Sequence, residues 1–310
     1  MNNPILKIEG LSHRYSVKWA VKDINLEIEK RGIYGLLGSN GAGKSTTMNI
    51  VCGVIKQTEG QVTICGINTS TDPVASKCKI GFLPQKPPLH MELTILEYLE
   101  HCAGLRLMDK KEIPAAIERV MKVCNIEHMK DRLISNLSGG FQQRVGIAQA
   151  IIHEPEVVIF DEPTNGLDPN QILEIRTLIR NIAKERTVIL STHILSEVQA
   201  LCEKIIMIEQ GSMIFNGTID EFDSYITPDT VYVSLLGMPP VEKLTAIEGV
   251  SEVEPISPTE YRVKSPNTAD VIQSLVKASV ENDWRLNEIA LEKSSMDDIF
   301  AVLSKKQNKK

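Results

Sequence analysis

Apolar and polar residues alternate near the start of the chain. Leu6 and Ile8 stand against Lys7 and Glu9, then Ile24, Leu26 and Ile28 against Asn25, Glu27 and Glu29. A period of two is that of half-buried strands, so this segment is expected to form an antiparallel β element. Ile33-Tyr34-Gly35-Leu36-Leu37 is almost continuously apolar, as a buried strand is, and runs directly into a glycine-rich loop. Met48, Val51 and Ile55 then follow a helical period over 46–55. From Pro84 to Ser138 the pattern is helical. Thr94-Ile95-Leu96-Glu97 is a capping box opening a helix through Leu99 and Ala103, and Ile113, Ile117, Val120, Met121 and Cys124 form a second apolar stripe. Strand and helix alternate again at 157–160, 172–183, 188–190, 195–202 and 205–208, which predicts a parallel sheet wrapped by helices.

The texture changes after about Phe222. Val231, Val233 and Leu235 alternate as a strand, 241–247 reads as a short helix, and 250–256 and 261–264 read as strands. A helix at 269–280, a strand at 286–291 and a last helix capped by Ser295 complete the pattern. The expected fold is therefore α/β in two parts. Residues 1–222 form a parallel-sheet core with an N-terminal antiparallel β element and a helical insertion over about 86–153. Residues 223–310 form a small α+β domain, a split-βαβ sandwich. The closing Lys305-Lys306-Gln307-Asn308-Lys309-Lys310 reads as a solvated tail, with contact to an anionic membrane surface as the alternative.

Composition narrows the function classes. The 310 residues are 42% hydrophobic and 24% charged, as in ordinary globular proteins, and the net charge of -6 argues against a phosphate backbone as main partner, so no nucleic acid is expected. No stretch reaches the ~18 apolar residues of a membrane-spanning helix. The six cysteines include no CxxC pair. Cys124 and His128 lie one helical turn apart with no second pair to complete a zinc site. Scattered thiols and no signal peptide place the chain in a reducing cytoplasm.

Gly38-Ser39-Asn40-Gly41-Ala42-Gly43-Lys44-Ser45 fits G-x-x-x-x-G-K-[ST] and lies between the expected strand and helix. In that context glycines let backbone N–H groups curl around phosphate oxygens at a helix N-terminus. Lys44 is suited to neutralising the β- and γ-phosphates and Ser45 to ligating Mg2+; Thr46 follows in the phosphate-contacting run. Phe160-Asp161-Glu162-Pro163 closes an apolar strand, where parallel sheets present ligand-binding residues. Asp161 is suited to holding Mg2+ through water and Glu162 to polarising an attacking water. Leu137-Ser138-Gly139-Gly140 opens another helix and makes a second anion site. A single triphosphate has no need of both in one subunit.

These motifs resemble, in order from about Leu6 to Gly217, the nucleotide-binding subunit of an ATP-binding cassette protein. The resemblance implies that Tyr15 stacks on adenine, that Gln85 is the Q-loop glutamine sensing Mg2+, and that Leu137 to Gly140 is the signature. Asp168 in Gly166-Leu167-Asp168-Pro169 is similar to the D-loop aspartate, and His193 in Ser191-Thr192-His193 to the switch histidine. Singly, these four positions read equally as a strand aromatic, a loop amide, a helix N-cap and a surface residue. Phe141 departs from the family's usual glutamine, while Ser138, Gly140 and Glu162 are intact.

The implied catalytic set is Glu162, His193 and Lys44. The implied cofactors are ATP and Mg2+, the metal at Ser45, Gln85 and Asp161. The implied assembly is a head-to-tail homodimer or heterodimer of ATP-binding subunits that sandwiches ATP, works with an integral membrane permease and sits on the cytoplasmic face of the membrane. The C-terminal segment resembles the accessory domain of drug- and lipid-exporter-like members. Ser295-Met296-Asp297-Asp298-Ile299-Phe300 matches their S-x-x-D-x-F ending, or is a plain capped helix. Export is the implied direction. The alternative is a soluble mechanochemical ATPase, but the paired cassettes, charged linker, zinc motifs and long coiled coils of such members are lacking. A non-catalytic nucleotide-binding scaffold is the third reading. The cargo, the choice of homodimer or heterodimer and the role of the C-terminal part are not encoded in any motif.

Overall fold

The alternating N-terminal residues build β1 (Leu6–Tyr15) and β2 (Lys18–Ile28), and the apolar run builds β3 (Ile33–Leu37). The chain continues through α1 (Lys44–Val51), β4 (Glu59–Ile64), β5 (Ile67–Asn68), α2 (Pro73–Cys78) and β6 (Ile80–Leu83). Next come α3 (Ile95–Leu105), α4 (Ile113–Cys124), α5 (Gly139–Ile151), β7 (Val157–Asp161) and α6 (Pro169–Ala183). Then β8 (Thr187–Thr192), α7 (Leu195–Leu201), β9 (Lys204–Glu209), β10 (Ser212–Thr218) and α8 (Ile219–Asp223) follow. The computed structural model describes residues 3–225, 229–292, 299–300 and 302–304. It divides into two units, one running to Ile219 and the other spanning Asp220–Val302.

In the first unit β1 pairs antiparallel with β2 and β4, giving the order β2-β1-β4-β5. The register sets Leu6 opposite Ile28 and Ile8 opposite Leu26, so one face of this sheet is apolar. A second sheet has the order β10-β9-β3-β8-β7-β6, with β9, β3, β8, β7 and β6 parallel and β10 antiparallel at the edge. Met48 and Val51 of α1 lie in one buried cluster with Leu6, Ile8, Leu26 and Ile28 of the first sheet and Leu36, Ile159, Ile189 and Ile206 of the second. The phosphate-loop helix is thus held between two sheets. It begins at Lys44, earlier than the pattern indicated, because Gly43 adopts φ 113 and serves as its N-cap, and it ends at Val51. β4, β6 and β10 escaped the pattern. β6 has only four residues including a glycine, and β4 and β10 carry polar residues and glycines inside the strand.

The capping box on α3 is formed, Thr94 accepting from the Glu97 amide and Glu97 reaching back to Thr94. The helical insertion then grips β6, the strand that leads to Gln85. Gln149 Nε2 on α5 donates to Phe82 O at 2.9 Å, His153 Nε2 to Ile80 O at 2.9 Å, and Arg106 Nη1 to Ile80 O at 3.4 Å. At Gly81 an added Cβ would lie 2.0 Å from Ala150 O, so only glycine lets strand and helix approach this closely.

The second unit contains β11 (Thr230–Leu235), α9 (Val241–Thr245), β12 (Glu252–Ser257), β13 (Glu260–Lys264), α10 (Thr268–Glu281) and β14 (Leu286–Glu292). Its antiparallel sheet, β12-β13-β11-β14, is the split-βαβ arrangement expected. Val231, Val233, Tyr261, Val263, Leu275 and Trp284 fill its core. Ser295, Met296, Asp297 and Asp298 of the expected last helix, and the tail at 305–310, lie outside the described residues.

His153 links this packing to pH. With Nε2 donating to Ile80 O, its buried Nδ1 has no partner. Burial, reinforced by the nearby Arg106 charge, pushes the imidazole down to about 4 from an ordinary 6.5. Below pH 6.5 the unfolded chain binds a proton that the folded chain refuses, so stability falls as pH drops towards 4, by about 3 kcal/mol in full. The His153→Gln variant keeps an N–H donor but cannot titrate. Its unfolding free energy should therefore fall less steeply than that of the wild type over this window, as read from denaturant titrations at several pH values.

Candidate functional site

The loop between β3 and α1 lies hard against β9: a Cβ on Gly38 would sit 2.1 Å from Ile208 O. Gly41, at φ 82, faces open space, with nothing within 4 Å of where its Cβ would be. No side chain caps the first turn of α1, so the amides of Lys44, Ser45 and Thr46 are left as anion donors. Lys44 is buried beneath them, its Nζ donating to Gly38 O at 2.7 Å and Ser39 O at 3.0 Å. Burial holds its pKa below the usual lysine value, while Glu162, Asp161 and Glu209 act the other way. Ser45 and Asn40 are exposed beside it. A cradle of free amides over a buried cation fits a polyphosphate.

Asp161 ends β7, buried, and accepts from Ser191 Oγ of the neighbouring β8. Its carboxylate and the exposed Ser45 hydroxyl are both hard oxygen donors, the kind that Mg2+ takes. Glu162 adopts a left-handed backbone at φ 49, held there by its amide, which donates to Ser191 O at 3.1 Å and Ser191 Oγ at 3.2 Å. Such a conformation in a non-glycine residue is costly and is kept where surrounding structure enforces it. The Glu162 carboxylate accepts from His193 Nδ1 at 2.9 Å on one oxygen and from Gln85 Nε2 at 2.9 Å and Asn165 Nδ2 at 3.3 Å on the other. Gln85, Glu162 and His193, far apart in sequence, are thus brought into contact by the fold.

Other expected positions stand apart in the single chain. Ser138 is the N-cap residue of α5 but makes no capping bond, and Ser138 and Gly139 are exposed. Gly140 is buried where a Cβ would meet Gln171 at 2.7 Å. Ser138, Gly139 and Gly140 share no hydrogen bond with the 38–45 loop among the described residues. Asp168 is the N-cap of α6, accepting from the amides of Asn170 and Gln171 at 3.0 Å each. Tyr15 is 54% exposed, its ring edge-on to His13 at 4.7 Å. Phe141 packs edge-on against His128 at 6.0 Å. Cys124 is buried and its thiol pushed up to about 12 by that burial. No group of His, Cys, Asp or Glu suited to holding a metal occurs among the described residues.

Two buried carboxylates were not anticipated. Glu209, at the end of β9, accepts from Ser39 N at 3.2 Å and Ser39 Oγ at 2.7 Å. It closes an apolar strand just as Asp161 does, and that position was the available signal. Glu197 on α7 is 2% exposed and accepts from Thr164 and Thr192. On a short helix beginning Leu-Ser-Glu-Val it carries no mark of burial.

A strand-loop-helix phosphate cradle, an acidic strand end and a second open helix end define a P-loop nucleoside triphosphatase of cassette type. The profile of the family described as "ABC transporter" matches residues 21–165. The chain is 39% identical over 212 residues to "Bacitracin transport ATP-binding protein BcrA" of Bacillus licheniformis, covering 68% of each chain. It is 30% identical over 306 residues to "Linearmycin resistance ATP-binding protein LnrL" of Bacillus subtilis, covering 97% of this chain and 98% of that one. Among solved structures, the cbiO1 ATP-binding protein of Clostridium perfringens aligns with a TM-score of 0.65 at 31% identity, over 71% of this chain and 90% of its own. A dimeric ATP-binding cassette bound to ADP and phosphate aligns at 0.62 and 28% identity, over 69% and 98%. The chain belongs to the ABC transporter family, as an ATP-binding subunit that hydrolyses ATP.

The Glu209 contact makes a testable difference. When Lys44 turns to phosphate it gives up Ser39 O, and Glu209 still anchors that residue from its amide and hydroxyl. Charge-assisted hydrogen bonds are each worth about 1.5–3 kcal/mol, so Glu209→Ala should raise the Kd for ATP roughly tenfold, with kcat nearly unchanged. Tighter binding in an equilibrium nucleotide titration would mean that the carboxylate acts only by repelling phosphate.

Proposed function

We propose that this chain is the ATPase of an exporter, closing on ATP with a second ATP-binding subunit and driving a separate membrane permease. The observation that carries the chemistry is the meeting of Gln85 and His193 on Glu162. Glu162 is a carboxylate at the strand end beside the phosphate cradle, held by two donors in place to polarise a water. Lys44 and the amides of Asn40, Gly41, Gly43, Ser45 and Thr46 bind and orient the phosphates, while Gly38, Ser39 and Ala42 shape the loop, the Ser39 amide donating to Glu209 and the Ala42 amide to Ser39 O. Tyr15, exposed at the end of β1, offers its ring to the adenine. Ser45 and Asp161, with Gln85, would hold Mg2+, which when bound neutralises charge on the β- and γ-phosphates.

The uncapped start of α5 supports a shared site. Ser138, Gly139 and Gly140 of one subunit would close over the ATP on the 38–45 loop of the other, with Asp168 at the seam. The partner is a second copy or a related ATP-binding subunit. In this reading ATP favours the closed dimer, and hydrolysis returns it to the open one.

Val54, Val74, Leu105 and Leu107 are exposed apolar residues lining a groove of about 460 Å3 with Phe82, close to the β6 strand that leads to Gln85. Exposed apolar surface of this kind marks an interaction site and suits a permease segment. No helix among the described residues is long and apolar enough to cross a membrane, so a separate permease would hold the chain on the cytoplasmic face. Export is supported by the relatives named for bacitracin transport and linearmycin resistance, the second of which aligns over both units. The second unit, which holds none of the site residues, is suited to a regulatory or dimer-stabilising part.

Purified protein should hydrolyse ATP with Mg2+. Glu162→Gln should lower turnover about 10²–10³-fold and accumulate an ATP-bound dimer in size-exclusion chromatography. Lys44→Ala and Ser138→Ala should also depress turnover. Equal turnover in Glu162→Gln and wild type removes Glu162 from this role. Recovery from native membranes should bring down a polytopic membrane protein, and Leu107→Asp should weaken that association while sparing basal ATPase. Recovery with ribosomes instead would favour the soluble mechanochemical reading.

A further inference from the structure

Glu162 and His193 stand on different loops, one following β7 and the other following β8, yet their side chains meet at 2.9 Å. Beneath that contact the same two loops are joined a second time. Thr164, two residues beyond Glu162, donates its hydroxyl to Glu197 Oε1. Thr192, one residue before His193, donates to Glu197 Oε2 at 2.8 Å and accepts from the Ile194 amide at 3.0 Å. Thr164 is 4% exposed, Thr192 1% and Glu197 2%. We propose that Glu197 is a positioning residue for hydrolysis, a buried yoke that holds the Glu162 loop and the His193 loop at the spacing their upper contact requires.

The chemistry suits a carboxylate to this task. Both threonine hydroxyls donate towards it, one to each carboxylate oxygen, and Thr192, whose oxygen already accepts from the Ile194 amide, needs an acceptor there. A leucine of similar size accepts from neither, so both loops would be released without opening a large cavity, whereas a glutamine could donate its N–H2 to the Thr164 oxygen and keep the bridge. Neither threonine nor Glu197 contacts the 38–45 loop through any hydrogen bond seen here, so nucleotide affinity is not what the yoke controls. The same bridge ties the Thr164 segment, which continues to Asp168, to the histidine. A shift of the loop that carries Asp168 would therefore be felt at His193.

The inference rests on the roles proposed for Glu162 and His193, and the experiment separates the two. In the full-length chain, Glu197→Leu should lower kcat about tenfold while Kd for ATP stays within about twofold. Thr164→Val and Thr192→Val should each do the same. The double variant Thr164→Val/Thr192→Val should be no worse than the more affected single, because breaking either end already disables the yoke. Thr164→Ser and Thr192→Ser, which keep the hydroxyl, should retain wild-type kcat. Wild-type turnover in Glu197→Leu would overturn the proposal. So would losses that multiply in the double valine variant, or a loss of ATP affinity in step with kcat. If Glu197→Leu does not fold, the valine and serine variants decide alone. Glu162→Gln is the control: if it turns over normally, the role reading has failed whatever Glu197 does. If it is inactive while the yoke variants are normal, only the yoke has failed.

Discussion

In the parallel ladder of β3, β8 and β7, Leu37 lies opposite Thr192 and Asp161 opposite Ser191. That register is the constraint on which the rest depends. It brings the last residues of three strands to one edge of the sheet, so the residues that follow them must emerge side by side. Gly38 follows Leu37, Glu162 follows Asp161, and His193 follows Thr192. A shift of one residue in either pairing would turn a site residue to the opposite face of the sheet. The backbone strain at Glu162 belongs to the same constraint, since its amide is fixed to Ser191 on the adjacent strand.

Charge follows from this geometry. Lys44, Asp161, Glu197 and Glu209 are all nearly removed from solvent, and a buried ionised group is tolerated only when its hydrogen bonds are supplied. Each carboxylate receives hydroxyl or amide donors: Asp161 from Ser191, Glu197 from two threonines, Glu209 from Ser39. Lys44 is held by two carbonyls of its own loop. Its transfer from carbonyls to phosphate exchanges one set of acceptors for a stronger, charged set. The free amides around it supply contacts that nothing in the chain satisfies beforehand.

What could be read beforehand divides along the same lines. Strands that are long and alternate, such as β1 and β2, or short, wholly buried and apolar at their centre, such as β7 and β8, are visible because burial on one or two faces imposes a pattern. β6 is invisible because its role is a close approach to α5 that demands Gly81. The motif residues were legible because each lies at a strand or helix end where geometry restricts the choice of side chain. Asp168 fills its N-cap reading, and the D-loop role given to it is a separate proposal. Glu209 sits at such a strand end too, but what it and Glu197 hold could not be found in the same way. Their partners, Thr164, Thr192 and Ser39, are distant in sequence or carry no signature of their own, and only the folded sheet brings them within reach.

The helices of the first unit offer one further comparison. α2, α3 and α6 satisfy their opening turns with their own side chains, from Asp72, Thr94 and Asp168. α1, α4, α5 and α7 open with no such cap; among them α1 opens on Gly43 of the phosphate loop, and α5 on Ser138, a residue type favoured for capping that here makes no bond. A helix that leaves its first amides unsatisfied forgoes about 1 kcal/mol of stability unless something outside supplies the acceptor. For α1 the proposed acceptor is the phosphate cradled by its own loop. For α5, whose serine and first glycine are exposed and share no hydrogen bond with that loop among the described residues, the proposed closure would supply an anion carried by another subunit. Completing both helix ends in that way would require two chains facing each other, and nucleotide binding and dimer closure would then be a single event.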